Sequence, residues 1–169
     1  MKTDSHYSLR ELFDGLRAMF LPLFNTKNLE FYYSVSKNMP DIVYGDDKHL
    51  RQVLVNILAN GLEYTSEGHV ELYAWMSDEN VLHVGIHDTG MGIRQKDIEE
   101  LFLPFERLGS RERESASNVG IGLAISRKLC EMMDGELSIE STYGAGTTFS
   151  VYIPCKLSPD GAAAEEWLG

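Results

Sequence analysis

Apolar residues recur at helical spacing from Ser8 to Phe24, at Leu9, Leu12, Phe13, Leu16, Met19, Phe20 and Leu23, and Ser8 with Glu11 forms a capping box. This predicts a first helix, with Pro22 straining its end. Leu29–Lys37 is rich in β-formers and predicts a strand; Ile42–Tyr44 predicts a second, short one. Asp46 or Asp47 can cap a second helix, whose stripe of Leu50, Val53, Leu54, Ile57 and Leu58 leaves the other faces free for chemistry. Alternation over His69–Met76 and Val81–Asp88, around the polar turn Ser77-Asp78-Glu79-Asn80, predicts a hairpin. A short helical patch covers Gln95–Phe102, and the charged stretch Glu106–Asn118 has no apolar period and reads as a mobile loop. Val119–Met133 predicts a third helix opened by glycines, and Glu136–Ser141 with Thr147–Ile153 a closing hairpin. Strands on one side and three amphipathic helices on the other predict an α+β, two-layer sandwich.

The length of 169 residues, 43% of them hydrophobic, suits one domain with a proper core. A net charge of −11 argues against phosphate-backbone binding, so nucleic acid and anionic membrane are set aside. The acidity is concentrated in residues 61–104, with nine acids against two bases. No apolar run has the length of a membrane span and the start MKTDSHYSLR is no signal peptide, so the expectation is a soluble, cytoplasmic piece. Cys130 and Cys155 suggest neither a zinc site nor a disulfide framework, and are read as structural thiols. The Ala-rich end, Gly161–Gly169, predicts a frayed or appended tail.

Three motifs carry candidate chemistry. Asn56 and Asn60 lie four apart on one face of the second helix, where neutral amide oxygens suit a hard cation such as Mg²⁺ or simply face water. In IHDTGMGI, Asp88 ends a strand and Gly90 and Gly92 occupy the turn; the set is either a plain strand-ending turn or a pocket whose carboxylate accepts from a purine amine. Asn118-Val119-Gly120-Ile121-Gly122-Leu123 leads into the third helix, where free amides favour an anion, although it is neither a Walker loop nor a dinucleotide fingerprint.

Taken in order, NILANGLEYT, DTGMGI, LFLPFERLG, NVGIGLAIS and GAGTTF resemble the N, first glycine, F, second glycine and third glycine boxes of the sensor histidine kinase catalytic and ATP-binding domain, over nearly all of Leu9–Pro154. That family belongs to the gyrase, MutL and heat-shock-chaperone ATPase superfamily. The resemblance implies its Bergerat fold, a mixed sheet covered on one face by three helices. Residues 1–157 would be the catalytic domain, 1–8 a linker from an absent phosphoacceptor domain, and 158–169 a tail outside it.

The resemblance further implies MgATP as cofactor. Asn56 and Asn60 would hold Mg²⁺ and the phosphates, Tyr64 would cover the adenine, and Asp88 would receive its amino group with Thr147 behind it. Gly90, Gly92 and Ile93 would shape the base pocket, while Gly120, Gly122 and Leu123 would meet the phosphates. Phe102–Val119 would be the lid, with Arg107 beside the phosphates; Phe105 is either a base contact or an anchor of the lid. No histidine stands in the acidic-residue-then-proline setting of the family's phosphoacceptor helix. The implied activity is therefore transfer of the γ-phosphoryl group to a histidine on a separate dimerisation domain, with a response regulator downstream, by a fragment expected to be monomeric. The parent kinase could be membrane-anchored.

Two positions depart from the family pattern. Glu63 replaces a basic residue and would cost on the order of 3 kcal/mol if it faced a phosphate ~6 Å away at an effective dielectric of ~20, or almost nothing if turned to solvent. Asn118-Val119 replaces Gly and Thr. These changes keep open a degenerate interaction module that binds nucleotide weakly or not at all.

Overall fold

The computed structural model describes the backbone of residues 4–101 and 117–157. The expected tail and most of the expected lid, with Phe105 and Arg107, lie outside the described residues.

The order of elements is β1 Ser5–Ser8, α1 Leu9–Thr26, β2 Glu30–Val35, β3 Ile42–Gly45, α2 Asp47–Tyr64, β4 His69–Met76, β5 Val81–Asp88, α3 Gln95–Leu101, α4 Ser117–Met132, β6 Glu136–Thr142, β7 Gly146–Pro154 and β8 Lys156–Leu157. Ser8 caps α1 as expected, its hydroxyl accepting from the Glu11 N–H at 3.1 Å. The helix then runs through Pro22 to Thr26, two residues past the expected end. The missing amide of Pro22 costs a bond so near the C-terminus that the remaining turn holds, and the Thr26 hydroxyl donates back to the Pro22 carbonyl at 3.0 Å. Met19 and Leu23, which fit the apolar period, lie at the flank of the buried stripe and are exposed.

The main sheet has the order β2-β4-β5-β7-β6, with β2 and β4 parallel and the other neighbours antiparallel. Its inward residues, among them Val70, Leu72, Val84, Ile86, Phe149 and Val151, meet Leu12, Phe13, Leu16, Leu54, Ile57, Leu58, Leu123 and Cys130 in one core. Helices α1, α2 and α4 form the layer over that face, so the mixed sheet with helical cover expected from the resemblance is the architecture found. At the expected hairpin turn Asn80 takes the left-handed conformation, φ 63°, which asparagine tolerates, and the Ser77 hydroxyl accepts from the Val81 N–H.

Two features exceed the sequence expectation. Residues 5–8, read only as a leading linker, form β1, which pairs with β3 in a second sheet of order β1-β3-β8. The third long helix begins at Ser117, two residues before Val119, and ends at Met132 rather than Met133. Among the described residues no helix is long and apolar enough to cross a membrane.

Candidate functional site

The amphipathic spacing of α2 fixes the position of its polar residues. With Leu50, Val53, Leu54, Ile57 and Leu58 buried, Asn56, Asn60 and Tyr64 fall one turn apart beside the stripe and are half-buried. Asn56 is engaged at both ends of its amide. Its oxygen accepts from Gln52 Nε2 at 2.8 Å, and its Nδ2 donates to Ser126 Oγ at 3.0 Å and towards the Gly122 carbonyl at 3.5 Å. Asn56 thereby ties α2 to α4, reaching Ser126 and the Gly122 carbonyl. Asn60 has no hydrogen-bond partner among the described residues, which leaves its amide oxygen available.

Asp88 ends β5 in register with Thr147 of β7 and is 7% exposed. Burial raises its carboxyl pKa above the usual range, an effect partly offset by hydrogen bonds from the Gly90 and Thr147 backbone. The Gly90 N–H donates to Asp88 Oδ1 at 2.9 Å. Behind it, the Ser141 hydroxyl accepts from the Ile93 N–H at 2.7 Å, lies 2.9 Å from Thr147 Oγ1, and donates to the Gly146 carbonyl at 2.9 Å. This small network holds the turn after β5 against the β6–β7 hairpin.

Glycine is required at two places in that turn. Gly92 has φ 74°, and an added Cβ would lie 2.3 Å from the Thr142 carbonyl oxygen. At Gly90 an added Cβ would lie 2.6 Å from the Tyr64 carbonyl oxygen, 2.9 Å from Asp88 Oδ1 and 3.0 Å from Thr65 Oγ1. Gly90 therefore lets the end of α2 pack closely on the turn after β5. Ile93 packs on the core and Tyr64 stands at the helix end, its phenol pKa pushed up by burial and then by Glu63.

Glu63 itself is exposed, the solvent-facing one of the two orientations open from sequence. Gly120 and Gly122 both lie within the span of α4, Gly120 in its first turn. The Leu123 side chain is fully buried in the core, so any contribution to a phosphate would come from its backbone. Sequence reading missed Gln52, Thr65, Ser126 and Ser141. Ser126 had a usable signal, since it is four residues after Gly122 and shares its helix face; Ser141 had none, because its partners depend on the sheet register.

The donor set suits a hard cation. Among the described residues Asn60 has no hydrogen-bond partner, and the oxygen of Asn56 accepts from the exposed Gln52 alone, which can turn to water. No group of three or more His, Cys, Asp or Glu able to hold a metal ion occurs among the described residues.

Comparison with known proteins gives a consistent picture. The family model described as histidine kinase-, DNA gyrase B-, and HSP90-like ATPase matches residues 45–157. The sensor histidine kinase RcsC of Escherichia coli (strain K12) is 36% identical over 148 residues, covering 88% of this chain and 16% of RcsC. Sensor protein GacS of Pseudomonas syringae pv. syringae is 32% identical over 166 residues, covering 96% of this chain and 18% of GacS. The chain thus spans less than a fifth of the length of these relatives. In fold it is similar to full-length ShkA in complex with AMPPNP, with a TM-score of 0.79 at 24% identity, covering 94% of this chain and 32% of that one. A nucleotide-free catalytic domain of the histidine kinase ThkA superposes with a TM-score of 0.74 at 22% identity, over 90% of this chain and 97% of that domain.

Proposed function

The chain belongs to the family of histidine kinase-, DNA gyrase B- and HSP90-like ATPases, and from that premise we propose that it binds MgATP between α2, the end of β5 and α4, and passes the γ-phosphoryl group to a histidine of a separate phosphoacceptor domain in two-component signalling. The observation that carries this reading is Asp88, a carboxylate buried at a strand end and followed by a turn in which only glycine fits at position 90. A buried carboxylate that backbone donors offset only in part can accept from a further donor, and the exocyclic amine of adenine supplies one.

Each residue then has a role. Asp88 accepts from the amine; Ser141 and Thr147 keep the turn in place; Gly92 and Ile93 shape the base pocket; Tyr64 closes over the ring. Asn60, and Asn56 once released by Gln52, hold Mg²⁺ through their amide oxygens. When bound, Mg²⁺ supplies positive charge that neutralises the triphosphate. The first turn of α4, containing Gly120, offers unpaired amides to the phosphates, with Gly122 and Leu123 behind it. Among the described residues that form the site there is no lysine or arginine, so a protein cation would come from the segment holding Arg107. The nucleophile is an imidazole nitrogen of the phosphoacceptor domain. It forms the new bond to the γ-phosphorus as the bond to the bridging oxygen breaks and ADP leaves, and the phosphohistidine passes its group to a response regulator.

The experiment supplies the parent kinase's dimerisation and phosphoacceptor domain in trans, with ATP labelled on the γ-phosphate. The expected result is acid-labile, base-stable label on that domain, lost on Asn60→Ala. Nucleotide binding with no transfer would overturn the phosphotransfer step, and absence of both would favour the interaction module.

A further inference from the structure

The main sheet has a second face, turned away from the helices, and its composition is lopsided. Outward positions alternate with buried ones, as on β4, where His69, Glu71, Tyr73 and Trp75 alternate with the buried Val70, Leu72 and Ala74. None of the five strands contains a lysine or an arginine. The face instead carries Glu30, Glu71, Glu136 and Glu140, and among them the rings of Tyr32, Tyr73, Trp75 and Tyr152. Tyr32 and Trp75 are 45% and 46% exposed. Among the described residues Glu30 is engaged by the Tyr32 hydroxyl, whereas Glu71, Glu136 and Glu140 have no ion-pair partner. A solvated surface ordinarily mixes both charges, and edge strands such as β2 and β6 are ordinarily blunted by lysine. We propose that this face is a docking surface for an arginine-bearing segment of a partner protein, held extended across the strands with two arginines about four residues apart.

The register sets the relief of the face. Across β4, β5, β7 and β6 one row of outward residues is Glu71, His87, Thr148 and Glu140, and another is Trp75, His83, Tyr152 and Glu136. Between them runs a low row, Tyr73, Gly85, Ser150 and Ser138. A Cβ on Gly85 would collide with the Tyr73 ring, so that ring lies across β5 on bare backbone and floors a shallow trough. Burial and then Glu71, Tyr152 and Glu140 push its phenol pKa up, so carboxylates of β4 and β6 both act on it. In the wall beside it Trp75 stacks on His83, ring centroids 4.0 Å apart and planes 6° from parallel, and Tyr152 meets His83 edge-on at 4.7 Å. These contacts order the rings in advance of any partner. Burial pushes the His83 pKa down, so its ring is neutral near physiological pH and adds no opposing charge. Aromatic faces beside unpaired carboxylates match a guanidinium, which is planar, stacks on rings and forks onto carboxylates, better than they match an ammonium. Glu71 and Glu140 stand three strands apart, about 14 Å, and residues four apart in an extended segment are separated by about 13 Å. The same carboxylates repel nucleic acid and anionic lipid.

The probe is the synthetic peptide acetyl-Gly-Arg-Gly-Ser-Gly-Arg-Gly-amide, titrated into the ¹⁵N-labelled chain at about pH 8, above the ordinary imidazole range, and followed by NMR. Two comparison peptides carry lysine for both arginines, or the two arginines side by side. Shift changes should map to β4, β5, β6 and β7 around Tyr73 and Trp75, with a dissociation constant on the order of 1–10 mM for two exposed arginine contacts. The lysine peptide should bind about three- to tenfold more weakly, and the peptide with adjacent arginines about threefold or more. Glu71→Gln with Glu140→Gln should weaken the arginine peptide about three- to tenfold, while Glu11→Gln with Glu131→Gln, the same loss of charge from the helical layer, should leave it within about twofold. Tyr73→Leu should remove the preference for arginine over lysine. Equal binding of the arginine and lysine peptides, equal losses for the two pairs of glutamate substitutions, or no shift changes on this face at millimolar peptide would overturn the proposal. Broadening of the same signals with chain concentration alone would also overturn it, by assigning the face to a second copy of the chain. Should Tyr73→Leu fail to fold, the glutamate pairs, all on surface side chains, carry the test.

Discussion

Asp88 is held at a cost that its surroundings only partly offset, and that cost has a pH signature. Burial favours the protonated form, so the folded chain keeps this proton to a higher pH than the unfolded chain does. The load is therefore present above the folded pKa and is relieved as the pH falls through it. Asp88→Asn, which retains an oxygen to accept from the Gly90 N–H, should melt higher than the unsubstituted chain near neutral pH. The difference should shrink to nothing in acid, while most ATP affinity is lost at every pH. Thermal melts between pH 4 and 8 check this; a variant less stable at neutral pH would contradict the burial account. Asp88, Asn56 and Asn60 were singled out because their motifs, taken in order, resemble those of the family. The exposure of Glu63 and the unpaired hydroxyl of Thr65 were not, since rotamers and cross-element neighbours leave no trace in the spacing of a single chain. The two thiols accord with their structural reading, both buried and free, with Cys130 pushed up to about 12 and Cys155 to about 11 by burial.

Between elements, the contact of most consequence joins α2 to α4. Asn56 donates to Ser126, which is fully buried, so the helix bearing the proposed metal ligands is tied to α4 by a polar contact. Ser126→Ala should destabilise the chain by about 0.5–1.5 kcal/mol, the net worth of one hydrogen bond to a half-buried amide. A double-mutant cycle with Asn56→Ala should recover most of that loss as coupling, and additive effects would show that the tie contributes nothing. Helix caps show where local reading suffices and where it stops. Ser8 was identifiable as a cap from its place before an apolar stripe and the second cap only as Asp46 or Asp47; Ser8 and Asp46 each accept from the third residue on. That Asp41, 33 residues away, accepts from both the Ser8 hydroxyl and the Arg10 N–H is a product of β1 pairing with β3. Likewise Pro22 marks strain, but whether a helix stops there depends on how the following turn is packed.

For the whole molecule, alternation along β4, β5, β6 and β7 sufficed to identify two hairpins, and helical periods sufficed for the covering layer. The joining of β5 to β7, which puts Asp88 opposite Thr147, is a long-range pairing that local pattern does not encode. The same holds for the parallel placement of β2 beside β4 and for the small sheet that takes in residues 5–8 and Lys156–Leu157. The β5–β7 pairing brings the motif after β5 to that of the last hairpin, and Asn56 brings α2 to α4. Family resemblance reached that arrangement from motif order, and the register accounts for it physically. The central claim is that this site takes ATP together with Mg²⁺, and the most direct test is isothermal titration of ATP into the chain, first with Mg²⁺ and then with EDTA. The account predicts micromolar to sub-millimolar binding, on the order of −5 to −8 kcal/mol, that weakens sharply when the cation is removed. No heat at millimolar MgATP, or binding indifferent to EDTA, would contradict it.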